Sequence, residues 1–118
     1  MRSGWLLRDG DVVCALEMTD GGQDRRQGLR GRGSGDAVGT AGALHLDGAR
    51  SVLGVGLLGP IDVAFLSQDL IVLRVTRVAP WRMALGGRGV CSALGAEAGA
   101  LERWGVQVGD QLVIREVP

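Results

Sequence analysis

Apolar and polar residues alternate near the start of the chain and merge into longer apolar runs toward its middle. Between Asp11 and Met18, Val12, Cys14, Leu16 and Met18 fall on one side, opposite Asp11, Val13, Ala15 and Glu17. This period of two predicts a strand with one buried face. Ala43 to Leu46 predicts a short strand, and Arg50 to Leu58 a strand bent at its glycines. Ile61 to Leu66 is apolar on both faces except at Asp62. Leu70 to Val78 alternates again, and the link Ser67-Gln68-Asp69 is short enough to make it a hairpin partner. Val90 to Leu94 and Leu112 to Glu116 read as further strands. Helical spacing is weaker. Ala98, Leu101 and Trp104 form a stripe ending at Gly105, which predicts a helix over Glu97 to Trp104. After a turn at Thr19-Asp20-Gly21-Gly22, Gln23 to Leu29 suits about two helical turns, and Gly31 to Gly42 reads as a flexible loop. The expected fold is α+β: a strongly curved, mostly antiparallel sheet or partly closed β-barrel of six to seven strands, with two short helices.

Composition agrees with this pattern. The 21 glycines suit turns and bulges better than a helical bundle, since each costs a helix interior about 1 kcal/mol. A length of 118 residues, 46% of them apolar, suits a single domain over 1–118 with one core. Thirteen basic residues, all arginine, balance thirteen acidic ones. No global field therefore draws in nucleic acid or an anionic membrane, and no lysine is present for Schiff-base or phosphate-loop chemistry. The start of the chain lacks a signal-peptide apolar region, and no run nears the roughly 18 apolar residues of a membrane span. The expected location is cytoplasmic, with Cys14 and Cys91 as buried free thiols.

Most motifs yield to simpler readings. Gly54-Val55-Gly56-Leu57-Leu58-Gly59 matches a dinucleotide pattern, but Pro60 and an apolar strand follow where a helix N-terminus would have to hold the pyrophosphate. Gly31-Arg32-Gly33-Ser34-Gly35-Asp36 lacks the lysine of a phosphate loop. Arg25, Arg26, Arg30 and Arg32 are diluted by Asp20, Asp24 and Asp36, and no aromatic residue interleaves for base stacking. Cys14, His45 and Cys91 show no metal-ligand spacing, and Ser34 has no nucleophile elbow around it. The remaining feature is Asp62, a lone acid in an apolar strand after a Gly-Pro turn. Its carboxylate either bonds backbone amides or an arginine such as Arg50 or Arg82, or serves as a base or binding group. Trp81-Arg82 reads as an anchor or a binding surface.

Arg50-Ser51-Val52, Gly56, Pro60-Ile61-Asp62-Val63-Ala64-Phe65-Leu66, Val78-Ala79-Pro80-Trp81-Arg82 and Arg103-Trp104-Gly105-Val106-Gln107-Val108-Gly109-Asp110 together resemble the domain-of-unknown-function 192 family. Arg25-Arg26-Gln27-Gly28-Leu29 resembles that family's early helix, and the likeness spans about residues 13–113. The all-arginine form with Trp81-Arg82 is similar in style to actinobacterial members. The resemblance implies a compact curved-sheet domain without an established activity, and a polar cluster around Asp62. Its partners would stand near Leu53, Leu57, Leu58 and Gly95, which carry no ionisable group here. A lone carboxylate has little with which to stabilise a transition state. The expectation is a non-catalytic binding or accessory module, with a shallow groove near Asp62, Arg50, Trp81 and Arg82. It uses no cofactor or metal, takes a protein or small-molecule ligand rather than nucleic acid, and is a monomer or weak dimer. Two rivals are an enzyme or anion binder with Asp62 as base and an arginine clamp, and a secretion or envelope partner docking through a sheet edge such as Val12 to Met18.

Overall fold

The computed structural model describes residues 2–19 and 42–117. Within them the chain forms β1 (Arg2–Arg8), β2 (Asp11–Thr19), β3 (Ala43–Asp47), β4 (Ser51–Leu53), β5 (Ile61–Leu66), β6 (Val72–Val78), β7 (Met83–Leu85), β8 (Ser92–Glu97), the four-residue helix α1 (Ala100–Arg103) and β9 (Leu112–Glu116). Seven strands make one sheet in the order β6-β5-β8-β3-β2-β1-β9, and β4 and β7 form a separate ribbon. Every neighbouring pair is antiparallel except β2 and β3. The sheet is not closed. Beyond its edge strands β6 and β9, one isolated bridge sets Ile71 against Gln111, flanked by Val72 N–H to the Asp110 carbonyl at 2.9 Å and Leu112 N–H to the Leu70 carbonyl at 3.0 Å.

Strand β5 is buried along its whole length because a core lies on each side of it. Ala64 and Leu66 join Leu6, Leu16, Met18, Leu94, Ala96, Leu101, Val106 and Leu112 on one face. Ile61, Val63 and Phe65 join Leu44, Leu46, Val52, Leu57, Val78, Val90 and Ala93 on the other. Helix α1 caps the first core through Ala100 and Leu101. The ribbon caps the second, with Val52 and Ala84 turned inward. Phe65 is fully buried at the centre of that second core, where truncation to alanine costs about 3–5 kcal/mol.

Several expectations are met and others need correction. Ile61–Leu66 forms the strand the pattern predicts, and the Asp11, Ala43 and Leu112 strands begin where expected. Val12 is nevertheless exposed, because it sits beside the β1–β2 turn. Strand β8 starts two residues late and runs on to Glu97, where it pairs with Ile61. That extension shortens the helix. Glu97 belongs to the sheet, Gly99 takes the left-handed conformation at φ 88°, and only Ala100–Arg103 is helical. The bent strand Arg50 to Leu58 shrinks to β4, because Gly56 turns left-handed at φ 82° and Leu57 N–H closes on the Gly54 carbonyl. The second helix expected at Gln23 to Leu29, the loop after it, its arginine cluster and Ser34 lie outside the described residues. Both cysteines are free, but Cys91 is exposed just before β8 and Cys14 is half-buried in β2.

Candidate functional site

Asp62 is the second residue of β5, and alternation turns it toward the face that carries Ala64 and Ala96, away from Ile61 and Val63. Its side chain is 9% exposed. Arg77 stands directly opposite on β6 and donates its Nε–H to Oδ1 at 3.0 Å. The backbone N–H of Gly99 donates to Oδ2 at 2.8 Å. The carboxylate thus joins three elements: β5, β6 and the bend that leads from β8 into α1. Gly99 suits that bend because its left-handed backbone is one that residues with a Cβ adopt only at a cost.

An open groove of about 430 Å³ lies beside this pair. Val75, Leu101 and Val106 give it apolar surface, and Thr76, Arg77, Glu102 and Gln107 give it polar groups. The Arg77 side chain is 57% exposed and spends only its Nε–H on Asp62. Both Nη groups therefore remain as donors in the planar fork that suits a carboxylate.

The four residues singled out from sequence do not converge. Asp62 lines the groove, and its partners are Arg77 and Gly99 rather than Arg50 or Arg82. Arg50, Trp81 and Arg82 gather instead at the β4–β7 ribbon, which covers the opposite face of the sheet. Gly86 N–H bonds the Arg50 carbonyl at 3.0 Å, Gly54 N–H bonds the Arg82 carbonyl at 2.7 Å, and Trp81 N–H bonds the Gly54 carbonyl at 2.9 Å. The Arg50 side chain donates to the Val90 carbonyl at 3.2 Å, and Trp81 is 76% exposed. Leu53 and Leu58 are exposed on this same side. Gly95 stands opposite Val63, whose side chain enters the second core. Arg77 was missed because a simple hairpin does not show it: a three-residue link would set Arg74 across from Asp62, and only the longer turn from Ser67 to Ile71 and the bulge between Phe65 and Leu66 bring Arg77 there.

Other chemistry-bearing residues are dispersed. His45 is buried in β3 with its Nε2 unpartnered, and Ser92 Oγ is likewise buried and unpartnered. Burial lowers the imidazole pKa, Asp47 opposes that shift and Arg2 adds to it. Burial pushes the Cys14 thiol up to about 11. Among the described residues no three His, Cys, Asp or Glu side chains group as a metal site would require. None of the described helices is long and apolar enough to cross a membrane.

A small, open, mostly antiparallel sheet, with a buried strand carboxylate held between two donors beside an open groove, defines a compact β-rich domain. The chain belongs to the DUF192 family, described as Uncharacterized ACR, which it matches over residues 6–114. A crystal structure from Sinorhizobium meliloti 1021, provisionally described as a transcription regulator, superposes with a TM-score of 0.76 at 21% identity, over 96% of this chain and 92% of that one. A protein of unknown function from Novosphingobium aromaticivorans DSM 12444 superposes with a TM-score of 0.71 at 15% identity, over 94% and 83%. At such identities the likeness is one of fold. No curated protein matches the chain.

Proposed function

We propose that this domain is a non-catalytic binding module whose groove takes a small ligand through an anionic group seated on Arg77. The observation that carries the reading is the division of labour around Asp62. Both of its oxygens already accept hydrogen bonds, which suits a positioning carboxylate better than a proton acceptor. Arg77 is held by one N–H and keeps the rest of its fork beside the groove. Glu102 lines the same groove and repels a multiply charged anion. A singly charged carboxylate with a neighbouring hydroxyl or amine donor is the better fit. The rival with Asp62 as a base gains an arginine clamp here but no free base. Docking along Val12 to Met18 is narrowed, since β1 pairs one edge of β2 along that length and β3 takes the other edge from Leu16 to Thr19. The reading places the protein in the cytoplasm, in keeping with two unpaired cysteines.

The test is amide chemical-shift perturbation with lactate, serine and inorganic phosphate. Lactate or serine should shift Thr76, Arg77 and Gln107 more than phosphate does, and Arg77→Gln should abolish the response. Shifts confined to other regions, or none at millimolar ligand, would overturn the proposal.

A further inference from the structure

The outer face of the β4–β7 ribbon carries a second surface, separate from the groove. Val52 and Ala84 turn inward, so their neighbours turn out. Leu53 and Met83 stand directly opposite each other at 53% and 58% exposure, and Leu85, opposite Ser51, is 57% exposed. The turn after β4 adds Val55 and Leu58, and the turn before β7 adds Trp81. Such a run of exposed apolar side chains marks an interaction site.

Trp81 gives a second, independent sign. Its backbone is left-handed at φ 64°, a conformation rare for bulky side chains. Gly54 holds it there, bonding Trp81 N–H and the Arg82 carbonyl from one peptide position. A Cβ on Gly54 would collide with the Ala79 carbonyl oxygen. The fold thus fixes a strained tryptophan outward, where it gains little by burial. Strain of this kind collects where binding depends on it.

Charge indicates the partner. Arg50, Arg74, Arg82 and Arg88 are exposed on and around this ribbon. Arg74 reaches the Leu85 carbonyl at 2.6 Å and Arg50 the Val90 carbonyl. Among the described residues none of the four pairs with a carboxylate, although Arg2, Arg8, Arg77 and Arg103 each do. Between Arg50 and Ser92 the sequence has only two acids, Asp62 and Asp69, and Asp62 is bound to Arg77. A neutral chain therefore presents one face that is apolar and positive. A second copy of the chain would set these arginines against their own kind across a two-fold axis. Nucleic acid would meet one aromatic ring and a bed of aliphatic side chains that phosphates cannot use. The strands of the ribbon have three residues each, too short for strand addition to carry recognition.

We infer that the β4–β7 face docks an acidic polypeptide segment with interleaved apolar side chains. Trp81, Leu53, Met83 and Leu85 cover the apolar residues, and Arg50, Arg74, Arg82 and Arg88 meet the carboxylates. The proposal does not depend on the groove at Asp62.

The test is a fluorescence-anisotropy titration of the full chain with a labelled synthetic peptide of alternating glutamate and leucine. Its controls are the same peptide with glutamine for glutamate, and an oligothymidylate of similar length. The acidic peptide should bind at micromolar concentration, and the glutamine version at least tenfold more weakly. Trp81→Ala and the pair Arg82→Glu, Arg88→Glu should each lower affinity about tenfold, while Arg77→Gln leaves it unchanged. All these positions are exposed, and unchanged urea midpoints would exclude misfolding as the cause. Tighter binding of the oligothymidylate, equal binding of both peptides, or self-association lost in Trp81→Ala would each overturn the inference.

Discussion

Replacing Asp62 tests whether its carboxylate holds the groove together. In alanine the methyl group accepts nothing, so Gly99 N–H loses its 2.8 Å partner and Arg77 loses its 3.0 Å partner. A donor left unsatisfied inside the protein costs about 1–3 kcal/mol. The Arg77 side chain is 57% exposed, so its ion pair adds no more than about 1 kcal/mol. Asp62→Ala should therefore destabilise by about 1–4 kcal/mol. Asparagine keeps the shape and one acceptor. Its oxygen should stay on Gly99 while the exposed Arg77 turns to water, at a cost of about 1–2 kcal/mol. Arg77→Gln should cost less than about 1 kcal/mol. Urea unfolding measures all three, with a slope of about 1–3 kcal/mol/M that should not change. The loss at position 62 should be larger for alanine than for asparagine, and both should exceed that of the Arg77 variant. An Arg77→Gln loss as large as that of Asp62→Ala would show that the ion pair, not the amide, carries the energy. A neutral Asp62→Asn would show that the carboxylate does not organise this end of the sheet.

Three further outcomes are expected. His45 has a folded pKa held below its ordinary value of about 6.5, chiefly by burial, so the unfolded chain takes up the proton first. Stability should be intact above about pH 6.5 and fall as pH drops below it; His45→Leu should flatten urea midpoints between pH 7.5 and 5.5, and an unchanged slope would refute this role. Cys91 is exposed while burial raises Cys14 to about 11, so a chromogenic disulfide reagent at pH 8 should titrate one thiol quickly. Cys91→Ser should remove that fast phase, and its survival would place reactivity at Cys14 instead. Gly54→Ala should destabilise by about 2 kcal/mol or more, because its Cβ also approaches the Arg82 carbonyl oxygen at 3.0 Å and Trp81 N at 3.1 Å. At Gly87 an added Cβ has nothing within 4 Å, so the same change should cost only the left-handed backbone, about 1–2 kcal/mol; equal losses at the two sites in thermal melts would remove the packing argument.

Strands whose side chains alternate, or are apolar throughout, were legible because period and burial agree. β5 is the clearest case: a run apolar on both faces is a strand between two cores. β1 was overlooked although its signal was present. Asp9-Gly10 sits between Trp5-Leu6-Leu7 and Val12-Val13, and both turn residues have positive φ, at 53° and 84°, as a two-residue hairpin turn of this kind requires. β7 had no comparable signal, since three residues are too few to show a period. The helix was overestimated for a different reason. Ala98, Leu101 and Trp104 carry helical spacing, but pairing of Glu97 with Ile61 and the left-handed Gly99 take the first turn away. Tertiary hydrogen bonds outweighed a weak local preference.

The site was legible only as a residue type. A carboxylate in an apolar strand needs partners, and that need alone drew attention to Asp62. Choosing the partner required register. Nearness to the Gly-Pro turn and to the Trp-Arg pair suggested Arg50 or Arg82, whereas a turn from Ser67 to Ile71 followed by a bulge between Phe65 and Leu66 places Arg77 across from Asp62. Alternation then separates what nearness had joined. Asp62 turns to the face of Ala64 and Ala96, while the ribbon bearing Arg50, Trp81 and Arg82 packs over Ile61, Val63 and Phe65. One strand thus divides two surfaces of unlike chemistry: a groove organised by a satisfied carboxylate, and an apolar face ringed by arginines that pair with no acid among the described residues. Two such surfaces can hold two partners at once, so a ligand in the groove should leave peptide binding at Trp81 unaltered unless β5 itself moves. Titrating the peptide with and without saturating lactate measures that coupling, and a changed affinity would mean that the strand transmits rather than separates.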